Sequence, residues 1–401
     1  MCDNITFINL LSHLFCHKLI DLVVVRSNSI IYSPRVRKII NSLSKKYSIL
    51  ALGWNREGVS KEKVENYVSN LWLLNLRAPY GKIRMIAIIP IFWAWIFINL
   101  LKANPKVVHS CDFDTIVPCY IYKILFRKKL VFDVCDRYAM AYIPPKFKIL
   151  YSTINSLEEI FAKHSDALIT VSEKLLRTFH RVPEQTAIIM NCLEQDIINP
   201  MKRCFNDHKE PTEEYEKGKD NEENRCIFTL LYAGNIVKGR GLENIIPAIE
   251  NLHDVKLIIA GKTIHEDLLQ SLLLLPNVEY RGILEPVEAL TLNLYSHAVI
   301  ILYDPQVPNN NFSMSNKMFE AMMLGLPIIT NVSTEVVRDE VNCGIIVDYN
   351  NINQITEAIK SLRDDPLLCQ KLGCNGQKAC LRKYNWEMME KKLKEIYENL
   401  L

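Results

Sequence analysis

Short apolar runs, each the length of a buried strand, recur along this chain with longer mixed segments between them. In the first half they are Leu22–Val25, Ser48–Leu52, Leu71–Leu76, Val107–Cys111, Leu130–Val134, Ala167–Val171 and Ala187–Met190. In the second half they are Phe228–Tyr232, Val255–Ala260, Val278–Tyr280, Val299–Tyr303, Ile328–Ile329 and Ile345–Val347. The intervening segments carry helical periodicity; Arg35–Lys46 puts Val36, Ile39, Ile40 and Leu43 on one face. Strands alternating with helices predict an α/β fold of parallel, doubly wound sheets. Ligands of such sheets bind beyond the carboxyl ends of the strands, so the residues just after each run are the informative ones.

One segment breaks the alternation. Lys202–Arg225 contains no Leu, Ile or Val, and fourteen of its twenty-four residues are charged, so it cannot bury a core. A chain of 401 residues is long enough for a sizeable core on each side of it. The expected organisation is a first domain over 1–200, a charged linker or insertion over 201–226 and a second domain over 227–385. A strong helical pattern follows from Trp386 to Leu401. Two doubly wound domains place a cleft between their sheets.

The richest stretch runs from Asn309 to Thr330, NNNFSMSNKMFEAMMLGLPIIT. Ser315 is a good N-cap. Gly325 suits the left-handed position that closes a helix, and Pro327 prevents its resumption. A helix N-terminus is a ready anion site. Asn316 and Lys317 lie in the first turn, and Glu320 follows one turn later near the same face. A phosphate grip and a hydroxyl grip one turn apart suit a nucleoside diphosphate joined to a sugar; a solvated amphipathic face is the alternative. The turn after Phe228–Tyr232 reads Ala233-Gly234-Asn235-Ile236-Val237-Lys238-Gly239-Arg240-Gly241. Its glycines permit close backbone approach, and Lys238 and Arg240 bring charge suited to phosphate.

In the first half, Val107–Cys111 carries His109 and is followed by Asp112 and Asp114, and the next run is followed by Asp136. His109 reads either as a structural hydrogen-bonder or as a cleft residue at a strand's carboxyl end. Asp112 and Asp136 read either as helix caps or as site residues. No metal site is predicted: Asp112 and Asp114 have DxD spacing but fall in the first domain. The twelve cysteines contain no CxxC pair and read as free thiols of a reducing compartment. A net charge of +3 without a long basic run argues against nucleic acid as partner. The apolar run Ile5–Phe15 has neither a basic lead nor a small-residue cleavage site, so a cleaved signal is not expected. It suits a helix packed on the domain or lying on a membrane. Met85–Leu101 is seventeen residues without a charge. It fits a buried helix, or an interfacial one through Phe92, Trp93 and Trp95 flanked by Lys82, Arg84 and Lys102. A span is disfavoured, because it would separate strands of one sheet and Pro90 would kink it.

SNKMFEAMMLGLPII resembles the donor-binding helix of family-4-type GT-B glycosyltransferases, also called group 1. The glycine turn with its Arg240-Gly241 step, the His109 strand end and the Ala167–Ser172 run are similar to further stretches of that family. The family's Glu-x7-Glu pair would place its first glutamate at Phe312 and its second at Glu320. The resemblance implies a GT-B fold of two Rossmann-like domains facing a central cleft, with residues 386–401 crossing back to the first. It implies a retaining, metal-independent transferase moving a hexose-type unit from a nucleotide sugar to a glycan or lipid-linked acceptor. No cofactor beyond that co-substrate is implied. Glu320 would hold the ribose. Lys317, Arg240 and the helix amides would hold the diphosphate, with Gly234, Asn235, Lys238 and Asn316 on the donor side. His109 and Asp136 would line the acceptor side. The expected location is the cytoplasm, at the inner face of the membrane where the acceptor is lipid-linked. A GT-B epimerase and a non-catalytic nucleotide-sugar-binding protein are the alternatives.

Overall fold

The valine- and isoleucine-rich runs form parallel strands because both faces of each are covered, which suits near-continuous apolar sequence. The computed structural model describes residues 20–197, apart from 29, 31–32, 57, 59–69, 79–82 and 145, and residues 227–401. The expected segments Ile5–Phe15 and Lys202–Arg225 lie outside the described residues, as does Lys82.

The chain divides into two compact units. The first holds residues up to Met190 together with Met389–Leu401, and the second holds Asn191–Met388. The first unit's sheet comprises β1 (Leu22–Arg26), β2 (Ile49–Trp54), β3 (Leu71–Leu74), β4 (Val107–Cys111), β5 (Lys129–Val134), β6 (Ala167–Thr170) and β7 (Gln185–Ile188). Its order is β3-β2-β1-β4-β5-β6-β7, parallel throughout. The second unit's sheet comprises β8 (Phe228–Ala233), β9 (Val255–Ala260), β10 (Val278–Tyr280), β11 (Ala298–Ile301), β12 (Ile328–Thr330) and β13 (Gly344–Ile346). Its order is β10-β9-β8-β11-β12-β13, again parallel. Each order reverses once, between β1 and β4 and between β8 and β11. A reversal of this kind opens a crevice at the carboxyl edge of the sheet.

Helix α1 (Pro34–Leu43) begins at a proline, whose fixed φ suits a first turn. Val36, Ile39, Ile40 and Leu43 are all buried, as the periodicity predicts. Each contributes about 1.5–3 kcal/mol of apolar burial. Helix α2 (Ile83–Ala103) runs through Pro90 without interruption. It is neither buried all round nor exposed along its aromatic residues. Phe92, Ile96 and Leu100 are buried, while Ile91 and Ile98 are about half exposed. Trp93 is held inward, its Nε1 donating to the Asp114 carbonyl at 2.8 Å. Trp93 and Trp95 are both half-buried, so the well exposed apolar side chains of α2 include aliphatic ones, Ile91 and Ile98. Among the described residues no helix is long and apolar enough to cross a membrane. Helices α3 (Phe113–Phe126) and α4 (Lys148–His164) follow β4 and β5. Among the described cysteines, Cys111, Cys119, Cys192, Cys343 and Cys380 are buried thiols outside any disulfide.

Candidate donor-binding site

The second unit's reversal point carries the chemistry. The turn after β8 leads into helix α5 (Leu242–Ile249), and its shape depends on Gly241. That residue has φ +81°, and a Cβ there would lie 2.3 Å from the Leu302 Cβ just after β11. Only glycine permits both the conformation and the contact. Glu243 braces the turn from below: its Oε1 accepts from the Gly239 amide at 2.6 Å and from the Tyr349 hydroxyl at 2.8 Å.

Helix α6 (Asn316–Leu324) brings the second set of groups. Gly325 closes it with φ +75°, as a left-handed cap should. The Ser315 hydroxyl, expected to cap the first turn, makes no capping bond. It accepts instead from the Tyr303 hydroxyl at 3.1 Å. Tyr303 is in turn fixed by Asn331, whose side chain accepts from the Tyr303 amide and donates to its carbonyl.

Two cations meet over two tyrosines. Lys317 folds back onto the end of β8. Its Nζ lies 3.9 Å from the Tyr232 ring centroid, and a Cβ on Gly234 would come within 2.6 Å of it. The Arg240 guanidinium stands 4.1 Å over the Tyr303 ring. Aromatic faces hold such cations without neutralising them. Burial, and then the neighbouring Arg240 charge, pull the Lys317 ammonium down to about 7, against Glu320, which raises it. An ammonium depressed by burial and by a second cation marks a candidate site for an anion. Glu320 is half-buried one turn beyond Lys317, and Asn316 and Asn235 are exposed.

Lys238 departs from expectation. Its Nζ pairs with Asp267 at 2.6 Å, both side chains well exposed. The His265 ring accepts from its amide at 3.1 Å, which turns this part of the loop toward the helix Glu266–Leu273. Replacing Lys238 with alanine is therefore expected to change nucleotide affinity by less than about fivefold, as for other exposed pairs. Isothermal titration with UDP, GDP and ADP checks this.

In the first unit the structure corrects the reading of His109. It is fully buried and both ring nitrogens are engaged. Nδ1 meets the Tyr397 hydroxyl at 2.6 Å, and Nε2 meets Asp133 at 3.3 Å. Tyr397 belongs to helix α7 (Trp386–Leu400), whose last turns pack in the first unit. Asp133 also accepts from Arg35 at 2.6 and 2.8 Å. Burial pushes the Asp133 carboxyl up, but the Arg35 charge and the His109 and Arg35 hydrogen bonds outweigh it. They hold the carboxyl well below the ordinary range. His109 is thus part of a core network that fixes the chain's last helix, not a residue lining an acceptor.

His109, Cys111 and Asp133 do present donor atoms within 4.8 Å of one another, the one such trio among the described residues. Its carboxylate is already matched by Arg35, so a bound cation would sit beside a guanidinium. At the carboxyl edge near β1 and β4, Asp112 has φ +63° and ψ 174°, a conformation other residues than glycine rarely hold. An Arg26 ion pair and the Cys135 amide, donating at 2.9 Å, retain it there. Asp136 is half-buried just beyond β5. Tyr232, Tyr303, Asn331 and Glu243 escaped the sequence reading. The signal available for the tyrosines was an aromatic residue closing each strand that flanks the reversal.

Two parallel doubly wound units, one with a cationic, glycine-lined edge at its reversal point, define a protein of two Rossmann-like units with a candidate anion site in the second. Residues 227–365 match the family described as glycosyl transferases group 1. The capsular polysaccharide biosynthesis glycosyltransferase CapM of Staphylococcus aureus is 25% identical over 186 residues, which span 43% of this chain and 47% of CapM. The sucrose-phosphate synthase of Thermosynechococcus elongatus superposes with a TM-score of 0.72 at 15% identity, covering 95% of this chain and 98% of that one. Anabaena HepE, solved with UDP and glucose, gives 0.70 at 13% identity, covering 94% and 99%. The chain has the GT-B fold of these structures, and its second half is similar to group 1 glycosyltransferases.

Proposed function

We propose that the protein transfers a hexose-type unit, with retention of configuration and without a metal ion, from a nucleotide sugar to a glycan or lipid-linked acceptor. The observation that carries this reading is the meeting of Lys317 and Arg240 over Tyr232 and Tyr303 at the reversal of the second sheet. A diphosphate there would be met by two cations and by the first-turn amides of α6. Those fixed positive groups would stabilise the departing nucleoside diphosphate electrostatically, the task a metal performs elsewhere. Glu320, one turn on, would accept from the ribose hydroxyls. HepE's complex with UDP and glucose and CapM's part in capsular polysaccharide biosynthesis support the donor and acceptor classes. Retention rests on the family resemblance. The reaction belongs in the cytoplasm, at the membrane's inner face when the acceptor carries a lipid.

The test is nucleotide release from a nucleotide sugar with and without acceptor, in the presence of a chelator. Release that requires acceptor and survives chelation is the expected result. Interconversion of the donor without acceptor would identify an epimerase, and binding without turnover a non-catalytic protein. Glu320→Ala is expected to weaken UDP binding roughly 10- to 100-fold, as for loss of a charged hydrogen bond. Unchanged affinity by titration would remove Glu320 from the donor site.

A further inference from the structure

The helix Pro366–Arg382 contains no aspartate or glutamate, and two of its basic residues, Lys378 and Arg382, stand one turn apart. Asp365, which precedes it, is spent on its first turn, accepting from the Leu368 amide at 2.9 Å. At 3.6 residues per turn the helix has two distinct faces here. Gly373, Gly376 and Gln377 rest on α6. A Cβ on Gly373 would lie 1.9 Å from the Gly325 carbonyl oxygen, and one on Gly376 would lie 3.2 Å from the Met322 Cα. The Gln377 side chain donates to the Met323 carbonyl at 3.3 Å. Asn375, Lys378 and Arg382 lie on the opposite face and line a cavity of about 450 Å³. That volume falls among those of small-molecule sites, roughly 300–1,000 Å³.

Glu340, Lys383 and Tyr384 stand across the cavity. Glu335–Glu340 winds as a π-helix, a rare form met mostly at functional sites, and Asn342 just beyond it holds φ +55°. The Asn375 side chain fixes that bend, donating to the Asn342 carbonyl at 2.9 Å. Among the charged lining residues Lys378, Arg382 and Lys383 are positive and Glu340 alone is negative. Glu340 is already engaged: its Oε2 accepts from Lys383 at 2.7 Å and from the Tyr384 hydroxyl. The adjoining Asp339 is paired with Arg338 at 2.7 Å. Lys378 and Arg382 make no ion pair among the described residues. Like charges one turn apart repel, and an anion held between them relieves that. We propose that this cavity binds a phosphate monoester of a small molecule. Arg382 brings a guanidinium that can take two phosphate oxygens, Lys378 a mobile point charge, and the remaining volume takes the esterified part. The site shares no residue with the donor edge and does not rest on that reading.

The experiment is calorimetric titration of the full chain, saturated with UDP so that the donor edge is occupied, with ribose 5-phosphate, inorganic phosphate and ribose. Ribose 5-phosphate is expected to bind, more weakly as salt is added, and ribose not at all. The double variant Lys378→Gln, Arg382→Gln should weaken the ester by at least about tenfold, as for loss of charge-assisted hydrogen bonds. Glu340→Gln should tighten it, by up to about fivefold, because it frees Lys383. UDP affinity and melting temperature should be unchanged in the double variant, which reports that it folds. Ester binding tighter than that of inorganic phosphate supports the proposal; equal binding would overturn the ester in favour of free phosphate. No binding beside UDP, or equal ester binding by the double variant, would overturn the site. If UDP itself fails to bind, the donor reading falls, and the same titration without UDP still decides whether the cavity takes the ester.

Discussion

Lys317→Met is expected to lower turnover by about 10²- to 10³-fold, the usual loss when one fixed positive group is removed from a developing anion. The same substitution should raise the melting temperature of the nucleotide-free protein below pH 7. In the folded chain the Lys317 ammonium is depressed to about 7, chiefly by burial and secondly by Arg240. The unfolded lysine titrates near ~10.4. Between those values the unfolded state binds a proton that the folded state does not, so stability of the free protein rises with pH across that window. Below pH 7 both states are protonated and the folded protein carries the full cost of a buried cation. Methionine has nearly the same shape and no charge, so it removes that cost. Binding runs the other way. A diphosphate raises the bound-state pKa and binding takes up a proton. UDP affinity should therefore be highest at and below pH 7 and fall above it, by at most about tenfold per pH unit. The nucleotide's own second ionisation lies near ~6 and leaves the higher range clean. Calorimetric titration in two buffers of different ionisation enthalpy measures the proton directly. A pH-independent affinity would show that Lys317 does not face the anion.

The second large effect belongs to the first unit. Asp133→Ala is expected to destabilise it by about 3–5 kcal/mol, because it strands a buried guanidinium. Arg35 Nη1 would keep only its 2.6 Å bond to the Ile189 carbonyl. His109 would lose the acceptor at Nε2, and with it the brace that carries Tyr397 and the end of α7. The Asp133 carboxyl is depressed, so its contribution is present above the unfolded value near ~3.9 and is lost as pH falls toward the folded one. Urea unfolding should therefore show the variant less stable at neutral pH and the difference shrinking in acid. UDP affinity, carried by the second unit, should not move. Equal stability of the two proteins at pH 7 would show that the network is not what holds α7.

Most of the fold could be read from the chain. β1, β4, β9 and β10 lie within a residue of their apolar runs, and the α1 face is the one its periodicity marks. The candidate site was legible only in part. Gly241 and Gly325 announce themselves because a left-handed turn and a close approach exclude other residues. The partners of charged side chains leave no such mark. Lys238 and Lys317 look alike in sequence, yet one is spent on Asp267 and the other is held over Tyr232. His109 sits near a strand's carboxyl end, as a cleft residue would, but α7 returns from the far end of the chain to bury it.

Sequence alone determined what depends on neighbours along the chain: which runs are strands, where helices start and stop, and where the backbone must be glycine. Local sterics and the period of apolar residues decide those, and both are written in order. Tertiary structure decided what depends on distances of a few ångströms between residues far apart in sequence. It chose which cation stays available for an anion and which histidine is sealed. Coulombic and desolvation energies change steeply over such distances, and no linear pattern encodes them.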